Sequence, residues 1–361
     1  MNLAIVSDWL PTVGGAEQVI SQFCKIWPKA PLYTTIANNG NLGLLDSKDI
    51  RTSNLQKYYK IIGNHRVLLP FMPKAMEKMD LRDYNVILSS SHAVGKGIIP
   101  PSSSVHICYC HTPMRYAWEM ENEYLKDSCI PHFLQKYIRK ELTKIRRWDN
   151  TTAKRVDIFI ANSTTVQERI SRLYNRDSIV IPPPVNSRFL NHPFLEKEDY
   201  FLCIGRMVPY KRFDLLIQVA NELQIPLRIS GCGPEEARLR SQAGPTVEFL
   251  GYINDKDLPD LYSKAKAILF PQFEDAGVVP LEAQACGTPV IAYGKGGVLD
   301  TVIADKTGIF FEEQNVNSIA NALDKFSSMQ FSRENIRAHA EQFSEEKFRR
   351  KIKNIVEEHM V

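Results

Sequence analysis

The stretch that decides the fold is LFPQFEDAGVVPLEAQACGTP, at residues 269–289. The apolar run AKAILF before it, residues 265–270, predicts a buried strand, and VIAY after it, residues 290–293, predicts the next strand. Between them the sequence predicts a loop and then a helix, because Pro280 suits a first helical turn and Gly287 stops the helix. The stretch is therefore typical of one strand–helix–strand unit.

The start of this helix is a predicted anion site. With Pro280 as the first helical residue, the cap position falls on Val279, whose side chain has no oxygen to accept from the free amides. A helix N-terminus that follows a strand favours negative charge, and Gly277 lets the backbone come close to a ligand. We therefore expect an anion to bind the amides of Gly277, Val278 and Val279.

Two carboxylates, Glu274 and Glu282, flank these amides. Carboxylates accept hydrogen bonds from sugar hydroxyls, so a nucleotide sugar would supply a diphosphate for the amides and hydroxyls for the glutamates. Each glutamate also has a plainer interpretation, as a solvated side chain or as a partner of the helix dipole, because Glu in a first helical turn is ordinary capping chemistry.

Length, composition and charge set the broad class. The chain has 361 residues, 44% of them hydrophobic, which is enough for two domains with separate cores. Its net charge of +4 is no signature of nucleic-acid binding, so no nucleic-acid partner is expected. The seven cysteines lack paired Cys-x-x-Cys spacings, which argues against a disulfide framework and for a reducing compartment.

The strand pattern LAIVS at residues 3–7 stands where a signal peptide would have its cationic leader, so we expect no signal peptide. No run approaches the roughly 18 to 20 apolar residues of a membrane span. We expect a cytoplasmic protein, or one that is peripheral on the inner face of the cytoplasmic membrane.

A glycine pair, Gly14 and Gly15, follows the first predicted strand and precedes residues at helical spacing. Adjacent glycines permit positive φ and leave no Cβ between backbone and ligand, which suits a phosphate or a sugar resting on the amides. Many such pairs are only turns. Further strand patterns then alternate with helical segments, which indicates a parallel sheet whose ligands gather at the carboxyl ends of its strands. These patterns are NVILS at residues 85–89, VHICY at residues 105–109 and VDIFIA at residues 156–161.

His111 follows the VHICY strand, where it could donate to a substrate hydroxyl or serve as a structural histidine. Cys108 and Cys110 beside it invite comparison with a zinc site. Their alternation places both cysteines on one face of the strand, and no second ligand cluster lies nearby in the sequence. We therefore expect no metal here.

The second half repeats the strand and turn pattern. Arg206 and Lys211 lie in the loop GRMVPYKR, directly after the predicted strand YFLCI. A phosphate would explain two cations at the carboxyl end of a buried strand, although a solvated basic loop is an alternative. The next predicted strand leads into GCGP, whose Gly231 and Gly233 form another turn at a strand end.

Three motifs together resemble family 4 of the retaining GT-B glycosyltransferases. They are the glycine pair after the first strand, GRMVPYKR at residues 205–212, and FEDAGVVPLEAQACGTPVIA at residues 273–292. The resemblance covers essentially the whole chain. It implies an α/β GT-B fold in which two Rossmann-like domains face each other across a cleft.

The resemblance also implies domain boundaries. An acceptor domain is expected over residues 1–190 and a nucleotide-sugar donor domain over residues 191–342. The apolar and charged residues of the C-terminus predict an amphipathic helix at about residues 343–361, which would either pack back on the first domain or cap the second.

The resemblance further implies roles for the candidate residues. Arg206 and Lys211 would bind the diphosphate, Glu274 the hexose hydroxyls and Glu282 the ribose, while His111 would lie near the primary hydroxyl of the sugar. No metal or other cofactor is implied, since two cations and the helix amides can balance the leaving diphosphate. The expected catalytic residues are Arg206, Lys211, Glu274 and His111. The expected donor-binding residues are Gly14, Gly15, Gly231, Gly233, Gly277, Val278, Val279 and Glu282.

Two segments narrow the resemblance. CYCHTPMRYAWE at residues 108–119 and RRWDNTTAKRVDIFIANS at residues 146–163 look like bacterial O-antigen and polysaccharide mannosyltransferases. This likeness implies transfer of mannose from GDP-mannose to a lipid-linked saccharide in polysaccharide or lipopolysaccharide synthesis. Three alternatives stay open: a UDP- or ADP-hexose donor with another acceptor, a non-catalytic nucleotide-sugar-binding protein, and an inverting or epimerising GT-B enzyme.

A basic, aromatic segment, residues 51–76, contains no Asp or Glu. Its composition fits an anchor at the surface of an anionic membrane. The alternative is a buried crossover with a solvated basic edge. The basic residues are Arg51, Lys57, Lys60, Arg66 and Lys74, and they alternate with Tyr58, Tyr59, Ile61, Ile62, Leu68, Leu69, Phe71 and Met72.

Overall fold

The computed structural model describes residues 2–359 apart from Val13, Asn39, Asn41 and residues 120–131. The chain divides into unit 1, Met1–Ile181 with Arg349–Val361, and unit 2, Pro182–Phe348. The chain thus leaves unit 1 at the start of the proline run 182–184, before the predicted boundary at residues 190/191.

In the described part of unit 1, strands form a seven-stranded sheet in which all neighbouring pairs are parallel. The order across the sheet is β3-β2-β1-β4-β5-β6-β7. The strands are β1 (Leu3–Ser7), β2 (Leu32–Thr34), β3 (Ile50–Thr52), β4 (Val86–Ser91), β5 (Val105–Cys110), β6 (Ile158–Ala161) and β7 (Ser178–Val180).

Local capping residues help to set where the helices of unit 1 begin and end. The one that follows β6, for example, begins where the Ser163 hydroxyl accepts from the amide of Val166 and ends at Asn175, whose φ is 51°. The helices are α1 (Gly15–Ile26), α2 (Leu55–Ile62), α3 (His65–Leu68), α4 (Met72–Glu77), α5 (Arg115–Trp118), α6 (His132–Ala153) and α7 (Thr164–Tyr174).

Unit 2 has a six-stranded sheet among its described residues, again with parallel neighbours, in the order β10-β9-β8-β11-β12-β13. The strands are β8 (Phe201–Ile204), β9 (Leu227–Ser230), β10 (Val247–Gly251), β11 (Ala267–Phe270), β12 (Val290–Tyr293) and β13 (Gly308–Phe311). The helices are α8 (Ser187–Leu190), α9 (Phe213–Leu223), α10 (Glu236–Gln242), α11 (Leu258–Lys264), α12 (Val278–Ala285), α13 (Val316–Ser327), α14 (Arg333–Ala340) and α15 (Glu345–Glu358).

Both sheets reverse their strand order beside the first strand of the unit, at β1/β4 in unit 1 and at β8/β11 in unit 2. This is the Rossmann arrangement, in which loops diverge at the carboxyl ends of the two central strands and leave a crevice for ligands. The predicted fold class, two Rossmann-like α/β domains of the GT-B type, is confirmed.

The last helix, α15, belongs to both units, because unit 2 ends at Phe348 and unit 1 resumes at Arg349. Within unit 1, Arg349 Nη1 donates to Gln22 Oε1 at 2.7 Å, and Ile352 and Val356 are fully buried. Among the described residues, none of the helices combines the length and the apolar character needed to cross a bilayer.

Candidate active site

The α12 helix begins earlier than its sequence predicted. Gly277 is its cap residue and Val278 its first residue, so the predicted start at Pro280 with Val279 as the cap is wrong. Pro280 occupies the third helical position, where a missing N–H still costs no intrahelical hydrogen bond. The Val278 amide donates to the Ala276 carbonyl at 3.1 Å, so one of the three amides expected to bind an anion is engaged within the turn.

An ion pair joins Lys211 to Glu274 beside this helix terminus. Lys211 ends the short helical turn that follows β8, and Glu274 lies in the loop after β11. Because β8 and β11 are neighbours at the point of strand reversal, the fold brings these two loops together. Lys211 is buried, and Glu274 is partly buried with its carbonyl accepting from the Gly297 amide at 2.8 Å. The predicted cation and the predicted sugar-binding carboxylate thus lie together.

The two glycines of the GCGP turn lie against the Arg206–Lys211 loop. A Cβ on Gly231 would overlap the carbonyl oxygen of Gly205, and a Cβ on Gly233 would overlap that of Met207. The Met207 amide also donates to the Cys232 carbonyl at 3.0 Å. Glycine is therefore required here because one loop packs backbone to backbone on the other, a reason that differs from the expected close approach of a ligand.

Arg206 does not join the ion pair. Its residue is exposed, and within the described residues it forms no salt bridge. The two predicted phosphate-binding cations therefore differ, because Lys211 is buried and fixed whereas Arg206 extends to solvent.

Glu282 is neither a solvated side chain nor a cap. It is the fifth residue of α12, it is partly buried, and its Oε2 accepts from the Tyr262 hydroxyl at 2.8 Å. Burial raises the pKa of Glu282 to about 7, although the Tyr262 hydrogen bond and the nearby Arg188 oppose that rise. The Glu282 carboxyl group therefore titrates near neutral pH.

In unit 1, His111 follows β5 and its Nε2 lies 2.8 Å from the Ser90 hydroxyl of β4. Burial, together with His92, lowers the pKa of His111 to about 3, so this imidazole is neutral near pH 7. Cys108 and Cys110 pack in the core, and burial raises the pKa of the Cys108 thiol to about 12, which disfavours a thiolate ligand. Within the described residues no group of three or more His, Cys, Asp or Glu side chains is placed to hold a metal ion.

The glycine pair of unit 1 lies at the start of α1. Gly14 is the cap residue, and its amide donates to Glu17 Oε2 at 2.8 Å. Gly15 is exposed, and nothing lies within 4 Å of the position that a Cβ would take. The pair is therefore open in a way that Gly231 and Gly233 are not.

Two polar residues at the same edge of the unit 1 sheet were missed. Asp8 follows β1, is buried, and accepts from the Ser91 hydroxyl at 3.0 Å and from the His92 amide at 2.7 Å. His92 follows β4, and its Nδ1 lies 2.9 Å from Asp8 Oδ2. The signal that identified His111, a polar residue directly after a buried strand, was present for both.

Two Rossmann-like units, with a lysine–glutamate ion pair beside a helix N-terminus in the second, are consistent with the GT-B class that the sequence motifs predicted. The family model "Glycosyltransferase Family 4" matches residues 13–189, and "Glycosyl transferases group 1" matches residues 188–343. The chain belongs to the family 4 glycosyltransferases, as its motifs predicted.

Curated relatives share parts of the sequence. A GDP-mannose-dependent alpha-(1-6)-phosphatidylinositol monomannoside mannosyltransferase of Mycolicibacterium smegmatis is 31% identical over 165 residues, 41% of this chain and 43% of that protein. A D-inositol 3-phosphate glycosyltransferase of Gordonia bronchialis is 28% identical over 229 residues, 52% of this chain and 49% of that protein. The matched part spans less than half the length of each relative.

Solved structures share the fold over nearly the whole chain. The crystal structure of Anabaena Alr3699/HepE in complex with UDP has a TM-score of 0.72 at 18% identity and covers 99% of this chain and 100% of that one. Sucrose-phosphate synthase from Thermosynechococcus elongatus also has a TM-score of 0.72, at 19% identity, covering 99% and 98%.

Proposed function

We propose that the protein is a retaining, metal-independent glycosyltransferase that moves a hexose from a nucleotide sugar. The observation that carries this proposal is the Lys211–Glu274 ion pair beside the N-terminus of α12. A diphosphate would take Lys211 and the helix terminus as its partners, and the hexose hydroxyls would take Glu274. Glu282 would then bind the ribose. Retention of configuration rests on the family likeness.

The chemistry asked of these residues is charge stabilisation. When the glycosidic bond to phosphate breaks, negative charge develops on the leaving diphosphate, and a fixed ammonium group at that place lowers the barrier. Lys211 is already buried and held, so it needs little reorganisation at the moment of reaction. Arg206, which is exposed, would close on the same diphosphate as a second cation.

We propose GDP-mannose as the donor and a lipid-linked saccharide as the acceptor. Support comes from the likeness of residues 108–119 and 146–163 to polysaccharide mannosyltransferases, and from two relatives that are described as GDP-mannose-dependent mannosyltransferases. A UDP-hexose is the second candidate, because the Anabaena structures contain UDP and UDP-glucose.

The segment α2–α4 supports a membrane-facing role for unit 1. Its side chains fall into two sets, since Leu68, Leu69 and Met72 are buried in the core while apolar residues on the other face are exposed. A groove of about 460 Å³ is lined by Tyr58, Ile62, Val67 and Phe71 and is bordered by Lys74 and Lys78. The exposed apolar residues and their exposed fractions are Tyr58 (57%), Ile61 (85%), Ile62 (44%), Val67 (55%) and Phe71 (60%).

The basic residues of this segment do not all lie on one surface. Arg51 belongs to β3 and pairs with Asp49 at 2.8 Å, so the positive charge available to a membrane comes from Lys57, Lys60, Arg66 and Lys74. Each contributes about 1 kcal/mol of attraction near an anionic leaflet.

A donor screen tests the proposed activity. The purified protein is incubated with GDP-, UDP- and ADP-hexoses and with lipid-linked saccharides, and products are identified by mass spectrometry and by the NMR signal of the new anomeric carbon. We expect transfer from GDP-mannose with the anomeric configuration retained. Transfer from a UDP-hexose alone, with tighter UDP than GDP binding in calorimetry, would reverse the donor assignment. Donor binding without turnover would favour the non-catalytic alternative.

Liposome co-sedimentation tests the membrane surface. At low salt we expect the wild type to sediment with anionic vesicles, and the triple variant Lys57→Ser, Lys60→Ser and Arg66→Ser to remain in the supernatant. A control triple variant, Lys154→Ser, Lys256→Ser and Lys306→Ser, loses the same charge from exposed positions elsewhere and should bind as the wild type does. Equal binding by the first variant would show that α2–α4 is not the membrane contact.

A further inference from the structure

The carboxyl edge of the unit 1 sheet holds a second imidazole, His92, which the proposed donor chemistry does not use. Its anchor is the buried carboxylate of Asp8, which accepts from the Ser91 hydroxyl, from the His92 and Gly95 amides and from His92 Nδ1. Burial opposes the charge on Asp8, but His92 and these donors outweigh it and hold the pKa of Asp8 below its ordinary value. Asp8 is therefore a fixed negative acceptor.

This anchor determines the tautomer of His92. An ionised carboxylate only accepts, so Nδ1 of His92 must carry a proton, and in the neutral ring Nε2 has the lone pair. Among the described residues, Nε2 has no hydrogen-bond partner, and 32% of the side chain is exposed. A carboxylate-held imidazole with an open Nε2 is the arrangement that proteins use to bind or orient a hydroxyl.

Ring contacts connect His92 to α3 and to His111. The Trp9 ring meets His92 edge-on at 4.8 Å between centroids, and the same Trp9 contacts His65 of α3 at 5.4 Å. His111 lies 6.4 Å from His92. Ring contacts thus run from α3, in the proposed membrane-facing segment, through Trp9 to the two histidines at the strand ends.

We propose that His92 is a second substrate-binding histidine of unit 1, whose Nε2 forms a hydrogen bond with a hydroxyl of the acceptor saccharide, and that Asp8 is the positioning residue that holds its Nδ1–H and so orients the ring. This inference rests on the proposed glycosyl transfer. The donor hexose has Glu274 of unit 2 as its proposed partner, whereas His92 lies in unit 1 and is linked through the Trp9 ring to α3. A saccharide held there by a lipid anchor would meet His92.

Four charged or titratable groups on neighbouring elements interact electrostatically with His92. They are Asp8 after β1, Glu17 of α1, His65 of α3 and His111 after β5. Burial opposes protonation of His92, but Asp8, and Glu17 less strongly, outweigh it, so the pKa of His92 is raised while that of His111 is lowered. The two imidazoles therefore differ in charge over the range between their pKa values, which allows each to be followed separately.

The decisive experiment compares transfer to the acceptor with hydrolysis of the donor, in which water replaces the acceptor. His92→Phe should lower kcat/KM for the acceptor by about 10- to 100-fold, because it leaves a bound hydroxyl without its partner. Donor hydrolysis and the calorimetric Kd of the donor nucleotide should stay within about 2-fold. His92→Gln, whose side-chain amide can also hydrogen-bond a hydroxyl, should recover part of the loss. His359→Phe, which makes the same substitution at an exposed position of unit 1, is the matched control and should leave transfer nearly unchanged.

Contrary outcomes separate the two proposals. If the wild-type protein turns over none of the nucleotide-sugar donors, the proposed function is wrong and this inference fails with it. An active wild type with an unimpaired His92→Phe variant overturns the inference alone, and so does an equal loss of transfer and hydrolysis.

The role of Asp8 has its own readout, NMR of the ¹⁵N-labelled histidines. We expect the Nδ1–H tautomer for His92 and a lower His92 pKa in Asp8→Asn. An Nε2–H tautomer in the wild type, which needs no variant to fold, would contradict the assignment.

Discussion

The two sheets have the same reversal of strand order, but the loops at the carboxyl ends of their strands differ in composition. In unit 2 the glycines Gly231 and Gly233 pack backbone to backbone against the loop after β8, and the Lys211–Glu274 ion pair lies beside them. In unit 1 the side chains of Asp8 and His92, at the carboxyl ends of β1 and β4, hold one another. The fold determines where a ligand can lie, whereas the composition of the loops determines which chemistry it meets.

The largest effect is expected for a substitution of Lys211. Lys211→Ala removes the fixed cation of unit 2 and should lower kcat by about 10²- to 10³-fold, because the charge on the leaving diphosphate loses its partner. Nucleotide release with donor and acceptor present measures the effect. Lys306→Ala, an exposed lysine of the same unit, should be indistinguishable from wild type. Full turnover by Lys211→Ala would refute the proposed role.

The next largest effect concerns the glycines of the two units. Gly233→Ala forces a Cβ into the Met207 carbonyl and should cost about 3 kcal/mol in the free energy of unfolding. Gly15→Ala places its Cβ in open space at the first position of α1, where alanine is the better helix former, and should be neutral or stabilising by up to about 1 kcal/mol. Denaturant unfolding measures both free energies. Similar losses in the two variants would show that Gly233 is no more tightly packed than Gly15.

A smaller effect is expected in unit 2, where the stability should depend on pH through Glu282. The raised pKa of Glu282, about 7, means that the folded chain keeps a proton that the unfolded chain releases near pH 4.5. Stability should therefore fall as pH rises from about 4.5 to 7, by about 2 kcal/mol once partial exposure is taken into account.

Glu282→Gln does not titrate, so its melting temperature relative to wild type should increase from pH 5 to pH 8. Glu222→Gln, at an exposed position, should show no such trend. A constant difference between Glu282→Gln and wild type across this range would show that the Glu282 carboxyl has an ordinary pKa.

Sequence patterns predicted the architecture because buried parallel strands are apolar runs bounded by turns. Their ends were less accurate. AKAILF predicted a strand from residue 265, but β11 starts at Ala267, because Ala265 is still the cap of α11. Likewise, proline tolerates several positions in a first helical turn, so Pro280 could not fix the start of α12.

The candidate site was predictable where one motif held it and not where folding assembled it. Glu274 and Lys211 were found because each follows a strand with a distinctive loop. The Asp8–His92 contact joins residues far apart in sequence, and no local pattern states that their strands are neighbours. Gly231 and Gly233 were noticed, but their reason, contact with another loop, is visible only in three dimensions.

The shared helix α15 has a consequence for biosynthesis. Unit 2 is one uninterrupted stretch, Pro182–Phe348, whereas unit 1 lacks part of its core until Ile352 and Val356 have been made. On the ribosome the later-synthesised unit therefore has its whole sequence first, and the earlier-synthesised unit must wait with an uncovered apolar surface. A nascent chain that stops at residue 348 would expose this surface to chaperones and proteases while unit 2 is already complete.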